Sequence, residues 1–196
     1  MAYSQYQPQD QMVLIGIMGT KGSGKTTAAN YFLTKGFVEK SFADCLKRAC
    51  MEIFLFDEDQ VFGTLEKKET PDPRWLDCTP RKILQFVGTD LLRNHLETIM
   101  PGLGKNVFIR HFELWYEKNK DQNVVIPDVR FQNEFDFIKK MGGSVIKIER
   151  CGENSDVHES ETEMQKILLY DYLISNQGTI EELGTKLGTI LADITQ

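Results

Sequence analysis

Short apolar runs alternate with longer segments of helical periodicity along the chain. The apolar runs are rich in β-branched residues, as strands of a buried sheet are, and they predict strands over residues 12–18, 37–42, 123–126, 144–149 and 170–175. Apolar residues recur every three or four positions between them, which predicts helices over residues 22–36, 46–56, 79–99, 131–141, 164–169 and 179–194. This alternation predicts an α/β fold with a central, mostly parallel sheet flanked by helices.

Two neighbouring segments differ sharply in their pattern. Residues 79–99 predict one long helix, with Thr79 at its N-cap and Pro80 in its first turn. Residues 57–78 are charged and interrupted by one glycine and two prolines, which predicts an irregular connection.

Length and composition predict one folded domain. The chain has 196 residues, of which 41% are hydrophobic and 27% are charged, and this composition excludes collagen-like and largely disordered proteins. We expect a flexible polar tail over residues 1–11 and a single domain over residues 12–196. No apolar run approaches the roughly 20 residues that cross a bilayer, so we expect a cytoplasmic protein that does not bind membranes.

Charge and cysteine content exclude further classes of protein. The formal net charge of −6 argues against stable binding to nucleic acid, whose backbone attracts basic proteins. The four cysteines are scattered without the spacing of zinc ligands, which predicts reduced thiols.

The segment from Gly19 to Thr26, GTKGSGKT, matches the pattern GxxxxGK[ST] at every fixed position, directly after a predicted strand and before a predicted helix. Backbone N–H groups of such a loop surround a phosphate, and the helix N-terminus adds its positive end. Lys25 is expected to bridge the β- and γ-phosphates and the Thr26 hydroxyl to reach Mg²⁺. The sequence therefore predicts a site for a nucleoside triphosphate with Mg²⁺.

The guanine-recognition and switch motifs of GTPases, NKxD and DxxG, are not found in the sequence. Two hypotheses therefore stay open: phosphoryl transfer to a small acceptor, or a binding module that changes shape with ATP.

Polar residues follow two predicted strands where a doubly wound sheet presents its ligands. Asp128 and Arg130 follow the strand at 123–126, and Asp44 and Lys47 follow the strand at 37–42. The alternative interpretation of each pair is that it only caps and begins a helix.

The long predicted helix carries polar residues at every fourth position, namely Arg81, Gln85, Thr89 and Arg93. They share one face, which either lines an anionic acceptor or is simply solvated. Arg150 opens a polar segment at about 150–163 that contains the sequence HESE, and we interpret this segment as a lid that excludes water or as a surface loop.

Together the motifs GTKGSGKTT, SFADCLKR, VFGTLEKKE, GTDLLR, DVRFQNE and HESE closely resemble the deoxynucleoside monophosphate kinases of bacteriophages and other large DNA viruses. The resemblance extends from Met12 to the last predicted helix. It implies a P-loop fold of the adenylate-kinase-like type, and transfer of the ATP γ-phosphate to a deoxynucleoside 5′-monophosphate for DNA precursor supply.

The resemblance also implies roles for individual residues. Catalysis is expected from Lys25, Asp128, Arg130 and the lid residue Arg150. The residues expected at ATP are Gly22, Ser23, Gly24, Lys25, Thr26 and Thr27, with Mg²⁺ near Thr26 and Asp128. Those expected at the monophosphate are Lys21, Asp44, Lys47, Arg81, Gln85, Arg93 and Arg130.

Two other families of P-loop kinases share parts of this pattern. Dephospho-coenzyme A kinase and the animal-type phosphomevalonate kinase are the enzyme alternatives, and a non-catalytic ATP-gated module is the alternative from another class. Relatives of this kind are often homodimers, so we expect a homodimer in the cytosol of the host if the chain is virus-encoded.

Overall fold

The computed structural model describes residues 12–20, 22–150 and 169–196. Its strands are β1 (Leu14–Met18), β2 (Val38–Glu39), β3 (Val124–Ile126), β4 (Ser144–Glu149) and β5 (Tyr172–Ser175). They form one parallel sheet in the order β2-β3-β1-β4-β5, with β1 in the centre. Ile15 of β1 lies opposite Val125, and Ile17 lies opposite Ile146. Every residue of β1 and β3 is buried, because helices cover both faces of the sheet.

The helices form two layers. They are α1 (Lys25–Leu33), α2 (Asp44–Phe54), α3 (Glu58–Phe62), α4 (Leu65–Glu69), α5 (Pro80–Gln85), α6 (Val107–Tyr116), α7 (Gln132–Lys140) and α8 (Ile180–Ile194). Helices α1 and α8 bury Phe32 and Leu187 against one face of the sheet. Helices α2, α6 and α7 bury Leu46, Phe112 and Ile138 against the other face. Short 3₁₀ turns lie at Pro73–Trp75, Leu96–Thr98 and Gly104–Asn106.

Glycine at position 16 lets α7 approach the sheet. A Cβ atom on Gly16 would lie 2.6 Å from Ile138 Cδ1 and 3.0 Å from Val129 Cγ2, so a larger residue would require these buried side chains to shift. The mostly parallel sheet predicted from the sequence is confirmed by the four parallel strand pairings.

The prediction of one long α-helix over residues 79–99 is wrong after Gln85. Thr79 caps α5 as predicted, since its hydroxyl accepts a hydrogen bond of 3.2 Å from Lys82 N. After α5 the chain continues as a π-helix, Phe86–His95, and ends in the 3₁₀ turn. The π-helix packs closely against α2 at Gly88. A Cβ atom on Gly88 would lie 2.6 Å from Leu46 Cδ2 of α2. Apolar periodicity alone does not distinguish this wider helix from an α-helix.

The connection at 57–78 is more regular than predicted, because it contains α3 and α4. Asp57 caps α3 in a reciprocal capping box with Gln60, and Thr64 caps α4. Asp72 closes the segment, pairing with Cys78 in a short antiparallel bridge. The segment thus has a defined structure beside α2 and α5.

The strand predicted at 37–42 is shorter than expected, since β2 covers only Val38–Glu39. Its continuation turns away because the N–H groups of Phe42 and Ala43 donate to the Asp128 carboxylate instead of a neighbouring strand. The helix predicted at 164–169 and the lid segment beyond Arg150 lie outside the described residues.

Candidate active site

The loop between β1 and α1 has the backbone geometry that its glycines allow. Gly22 and Gly24 have φ values of 88° and 107°, in the left-handed region that favours glycine. A Cβ atom on Gly24 would lie 2.5 Å from Asn176 Nδ2, so a larger residue would clash there as well. The loop ends at the N-terminus of α1, as the P-loop motif predicts.

Lys25 lies in the first turn of α1 and reaches back across the loop. Its ammonium group donates hydrogen bonds of 2.6 Å to both the Gly19 and Thr20 carbonyl oxygens. The positive charge is therefore held at the mouth of the loop, where loop N–H groups and the helix N-terminus already favour an anion. Thr26 is exposed beside it.

Asn176 is a residue of this site that the sequence analysis missed. It directly follows β5 and is 7% exposed. Its Nδ2 donates a 2.8 Å hydrogen bond to the Ser23 carbonyl, and its backbone N–H donates one of 2.8 Å to the Glu149 carbonyl. Asn176 therefore ties the phosphate-binding loop to the ends of β4 and β5. The only sequence signal is its place between a strand and the Thr179 helix cap.

A cavity of about 240 Å³ opens at the same edge of the sheet. Apolar side chains from the β2–α2 loop, α2, α3, α5, α6 and the loop before α7 form part of its wall, namely Phe42, Leu46, Val61, Leu84, Phe108 and Phe131. The basic residues that line it are Lys47, Lys68, Arg81, Arg93 and Arg130. Ala43, Gln85, Gly88, Thr89, Asp128 and Glu134 complete the lining. An apolar wall with a cluster of cations suits a ligand that joins a ring system to an anionic group.

Asp128 joins two loops at the cavity. Its two carboxylate oxygens each accept a hydrogen bond of 3.0 Å, one from Phe42 N and the other from Ala43 N. The carboxylate thereby holds the start of α2, and with it Lys47, against the end of β3. These two contacts give Asp128 a positioning function as well as its place at the cavity.

Arg93 and Glu134 form an ion pair at the buried side of the cavity, where they are 8% and 2% exposed. Arg93 also donates to the Lys105 carbonyl at 3.2 Å, and its guanidinium carbon lies 3.8 Å from the Phe131 ring centroid. Glu134 Oε2 accepts from Arg130 N at 2.8 Å and from Phe131 N at 3.2 Å. Burial raises the pKa of Glu134, and the positive charge of Arg93 acts in the opposite direction. The pair thus supports the backbone that carries Arg130.

Most of the residues predicted to bind the monophosphate lie around the cavity. Lys47, Arg81, Gln85, Arg93 and Arg130 all line the cavity. Asp44 is not among the lining residues: its Oδ2 accepts from Ser41 N at 3.1 Å and lies 3.2 Å from Lys40 Nζ.

Two further predicted residues lie elsewhere or outside the structure. Arg150 is exposed directly after β4 and does not line the cavity, and Lys21 lies outside the described residues.

Lys68 is the basic residue of the cavity lining that the sequence analysis did not single out. It projects from α4, within the segment predicted to be an irregular connection, and it is half-buried. Burial, and then the positive charges of Lys47, Arg81 and Arg130, lower its pKa from the ordinary value. The motif VFGTLEKKE contains this lysine but assigns it no role, because only the packing of α4 against α3 and α5 brings it to the cavity.

The residues present fit Mg²⁺ held mainly by nucleotide phosphates. Within the described part of the chain, no group of three or more His, Cys, Asp or Glu residues could hold a metal ion by itself. Magnesium usually keeps several waters and takes only one or two protein ligands beside phosphates. The exposed Thr26 hydroxyl on α1 and the half-buried Asp128 carboxylate are oxygen ligands of that kind.

Comparison with known proteins decides the family. The family model for deoxynucleotide monophosphate kinase matches residues 76–187, more than half of the chain. A protein of Acanthamoeba polyphaga mimivirus that carries the provisional name deoxynucleotide monophosphate kinase is 56% identical over 191 residues, covering 94% of this chain and 99% of that protein. The chain belongs to the deoxynucleotide monophosphate kinase family. It is therefore a kinase, as the motifs predicted.

A second relative agrees with this family. The deoxynucleotide monophosphate kinase of Enterobacteria phage T4 is 30% identical over 115 residues, covering 57% of this chain and 44% of that protein. Both relatives are viral, which fits the viral resemblance of the motifs. The coenzyme A, mevalonate and non-catalytic alternatives are not favoured by these matches.

Solved structures support the fold. TT1252 from Thermus thermophilus superposes with a TM-score of 0.52 at 17% identity, covering 95% of this chain and all of that one. Within the described part of the chain, no helix combines the length and the apolarity that a membrane span needs.

Proposed function

We propose that the protein transfers the γ-phosphoryl group of ATP to the 5′-phosphate of a deoxynucleoside monophosphate, using Mg²⁺. The main support for the proposal is the position of the cavity lined by cations. It opens at the carboxyl edge of the sheet where the phosphate-binding loop also begins. Parallel sheets bind ligands at this edge, so the two sites can present two phosphates to each other.

On the ATP side, we propose that the loop residues bind the triphosphate through their N–H groups. These residues are Gly22, Ser23, Gly24, Lys25, Thr26 and Thr27. Lys25 exchanges its bonds to the loop carbonyls for bonds to the β- and γ-phosphates, because an ammonium donor binds an anionic oxygen more strongly than a neutral one. Mg²⁺, when bound near the Thr26 hydroxyl and Asp128, supplies further neutralisation of phosphate charge.

On the acceptor side, Lys47, Arg81 and Arg130 bind the monophosphate, and Gln85 and Arg93 lie deeper along the same wall. Gln85 presents an amide beside the apolar wall, where a base would stack. Lys21, Asp44 and Arg150 are proposed to join the site around the bound phosphates.

Catalysis in this proposal needs no covalent intermediate. Two bound nucleotides are aligned for in-line transfer, and Lys25, Arg130 and Arg150 stabilise the charge on the transferred phosphoryl group. A lid formed by the segment at about 150–163 would exclude water from the reaction.

The test is ADP release with ATP and Mg²⁺, measured across deoxynucleoside and ribonucleoside monophosphates. Dephospho-coenzyme A and phosphomevalonate are the control acceptors. We expect turnover with one or more deoxynucleoside monophosphates, and none without Mg²⁺. Turnover with a control acceptor alone, or acceptor-independent ATP hydrolysis alone, would contradict the proposal.

A homodimer in the cytosol of the host cell stays a prediction from the resemblance. Light scattering measures the mass of the particle directly, and we expect twice the chain mass of 22.5 kDa.

A further inference from the structure

Lys68 belongs to a short helix that has no buried residue of its own, yet its side chain lines the acceptor cavity. The Thr64 side chain accepts from Lys67 N at the start of α4, and the Thr70 hydroxyl donates to the Glu66 carbonyl at 2.8 Å near its end. Both contacts define α4 locally. Its position beside the cavity comes from packing against α3 and α5.

The segment that carries Lys68 is anchored beyond α4. Asp72 is 4% exposed and accepts hydrogen bonds from Gln60 Nε2 at 2.8 Å and from Arg74. Trp75 Nε1 donates to the Phe54 carbonyl at the end of α2, at 2.8 Å. The Trp75 contact fastens the end of the segment to α2, and the Asp72 contacts join it to α3, so the position of Lys68 is supported by the fold.

Three other cations face Lys68, each from a different element. Lys47 lies on α2, Arg81 on α5 and Arg130 in the loop between β3 and α7. On its own helix, Glu69 Oε1 lies 3.8 Å from Arg81 Nε. Four positive side chains around one cavity create a local potential that attracts an anion.

The carboxylates that line the cavity are already engaged by other donors. Both Asp128 oxygens accept backbone N–H groups of the β2–α2 loop. Glu134 accepts from Arg93 and from the backbone of Arg130 and Phe131. These contacts hold the two carboxylates in place, and the basic side chains of the lining are the groups that can contact an anionic ligand.

We infer that Lys68 binds the 5′-phosphate of the acceptor together with Lys47, Arg81 and Arg130, and that binding of the phosphate dianion is coupled to uptake of a proton by Lys68. The inference rests on the proposed function, and it assigns an acceptor role to the segment at 57–78.

The sign of the coupling follows from the charges. In the free protein, burial and the neighbouring cations hold the pKa of Lys68 below its ordinary value. A bound dianion favours the ammonium form and raises that pKa again. Affinity for the monophosphate is then constant at lower pH and falls as pH rises through the pKa of the free protein. Above the pKa of the complex, affinity levels off.

The experiment compares Lys68→Met, Lys68→Arg and Lys67→Met in the full chain. Lys67 is the matched control because it is the exposed neighbour on the same helix and does not line the cavity. Dissociation constants for dAMP, dGMP, dCMP and dTMP are measured by calorimetry at about pH 7, where the phosphate is already mostly a dianion. The series up to about pH 10, in buffers of different ionisation enthalpy, uses dAMP and dCMP, whose bases do not lose a proton in that range. The KM values for ATP and for the acceptor are measured in parallel.

We expect Lys68→Met to weaken monophosphate binding roughly 10- to 100-fold with little change in the KM for ATP. Lys67→Met should match the unchanged protein. Lys68→Arg should retain most of the affinity while losing the proton uptake and the alkaline loss of affinity, since arginine stays charged throughout this range.

Equal affinities for Lys68→Met and Lys67→Met would overturn the inference, as would an unchanged alkaline loss of affinity in Lys68→Arg. If the unchanged protein binds none of the four monophosphates, the proposed function fails together with the inference. If it binds and phosphorylates them but Lys68→Met changes neither affinity nor proton uptake, the inference alone fails.

Discussion

Replacing Arg93 by methionine distinguishes a supporting role from a ligand-binding role. The sequence analysis predicted that Arg93 binds the monophosphate, and the residue does line the cavity. The residue, however, is 8% exposed and its guanidinium is paired with Glu134, which is 2% exposed. Methionine keeps an unbranched apolar stem but removes the guanidinium group that lies over the Phe108 and Phe131 rings.

The expected cost is large because the change leaves Glu134 buried without its partner. Removing one member of a buried pair typically costs about 3–5 kcal/mol. In a chain of this size, each kcal/mol lowers Tm by roughly 2–4 °C, so we expect a decrease of about 6–20 °C. A residue that only contacts ligand would leave the free energy of unfolding of the unliganded protein nearly unchanged.

A double-mutant cycle isolates the pair. Glu134→Gln retains an oxygen that can accept from Arg130 N or Phe131 N, whereas an apolar residue would leave both donors unsatisfied. We expect the double variant to be less destabilised than the sum of the two single variants, with a coupling energy of about 1–3 kcal/mol.

The assay is denaturant unfolding without ligand, combined with the KM for the monophosphate. We expect both the free energy of unfolding and the acceptor KM to worsen in Arg93→Met, because Glu134 also holds the backbone of Arg130. Unchanged stability with a raised acceptor KM would refute the supporting role and assign Arg93 to direct binding.

Three further changes test other parts of the structure. Lys25→Ala should lower kcat by orders of magnitude with an unchanged circular dichroism spectrum, since it removes the ammonium group at the phosphates. Gly16→Ala should destabilise the fold by about 1–3 kcal/mol in denaturant unfolding, because its Cβ would lie 2.6 Å from Ile138 Cδ1. Gly184→Ala in α8 should instead stabilise it by about 0.4–1 kcal/mol, since its Cβ would make an ordinary 3.7 Å contact. Asp72→Asn should flatten the acid side of the curve of unfolding free energy against pH. Hydrogen bonds from Arg74 and Gln60 lower the pKa of Asp72 in the folded protein. The carboxylate therefore stabilises the fold above its unfolded-state pKa, and this stabilisation is lost as pH falls through its folded-state pKa.

Each of these expectations has a result that contradicts it. Near-normal turnover in Lys25→Ala would remove the lysine from the mechanism. Equal stability changes for the two glycine variants would mean that the close approach of α7 does not constrain position 16. An unaltered acid limb in Asp72→Asn would show that the contacts of Asp72 do not influence its protonation.

The phosphate-binding loop and the helix caps were predictable because their causes are local. A glycine at position 24 and a lysine at position 25 act within one turn of chain, and Thr79 caps the helix three residues before the N–H group it accepts from. The capping box of Asp57 with Gln60 was also legible in the sequence, although the segment was predicted to be irregular. Four of the five cations at the cavity were named beforehand for their place after strands or on one helix face.

By itself, the sequence determined the parallel α/β architecture, the phosphate-binding loop and most of the basic residues that surround the acceptor cavity, since periodicity and local motifs encode them. Only the tertiary structure decided that residues 86–95 form a π-helix, that Asp128 and Glu134 support backbone turns, and that Asn176 and Lys68 belong to the site. The physical reason is distance along the chain: Asn176 contacts a residue 153 positions away, and Asp128 one that is 86 positions away. Such contacts depend on how the helices and loops pack around the sheet, and that packing leaves no local pattern in the sequence.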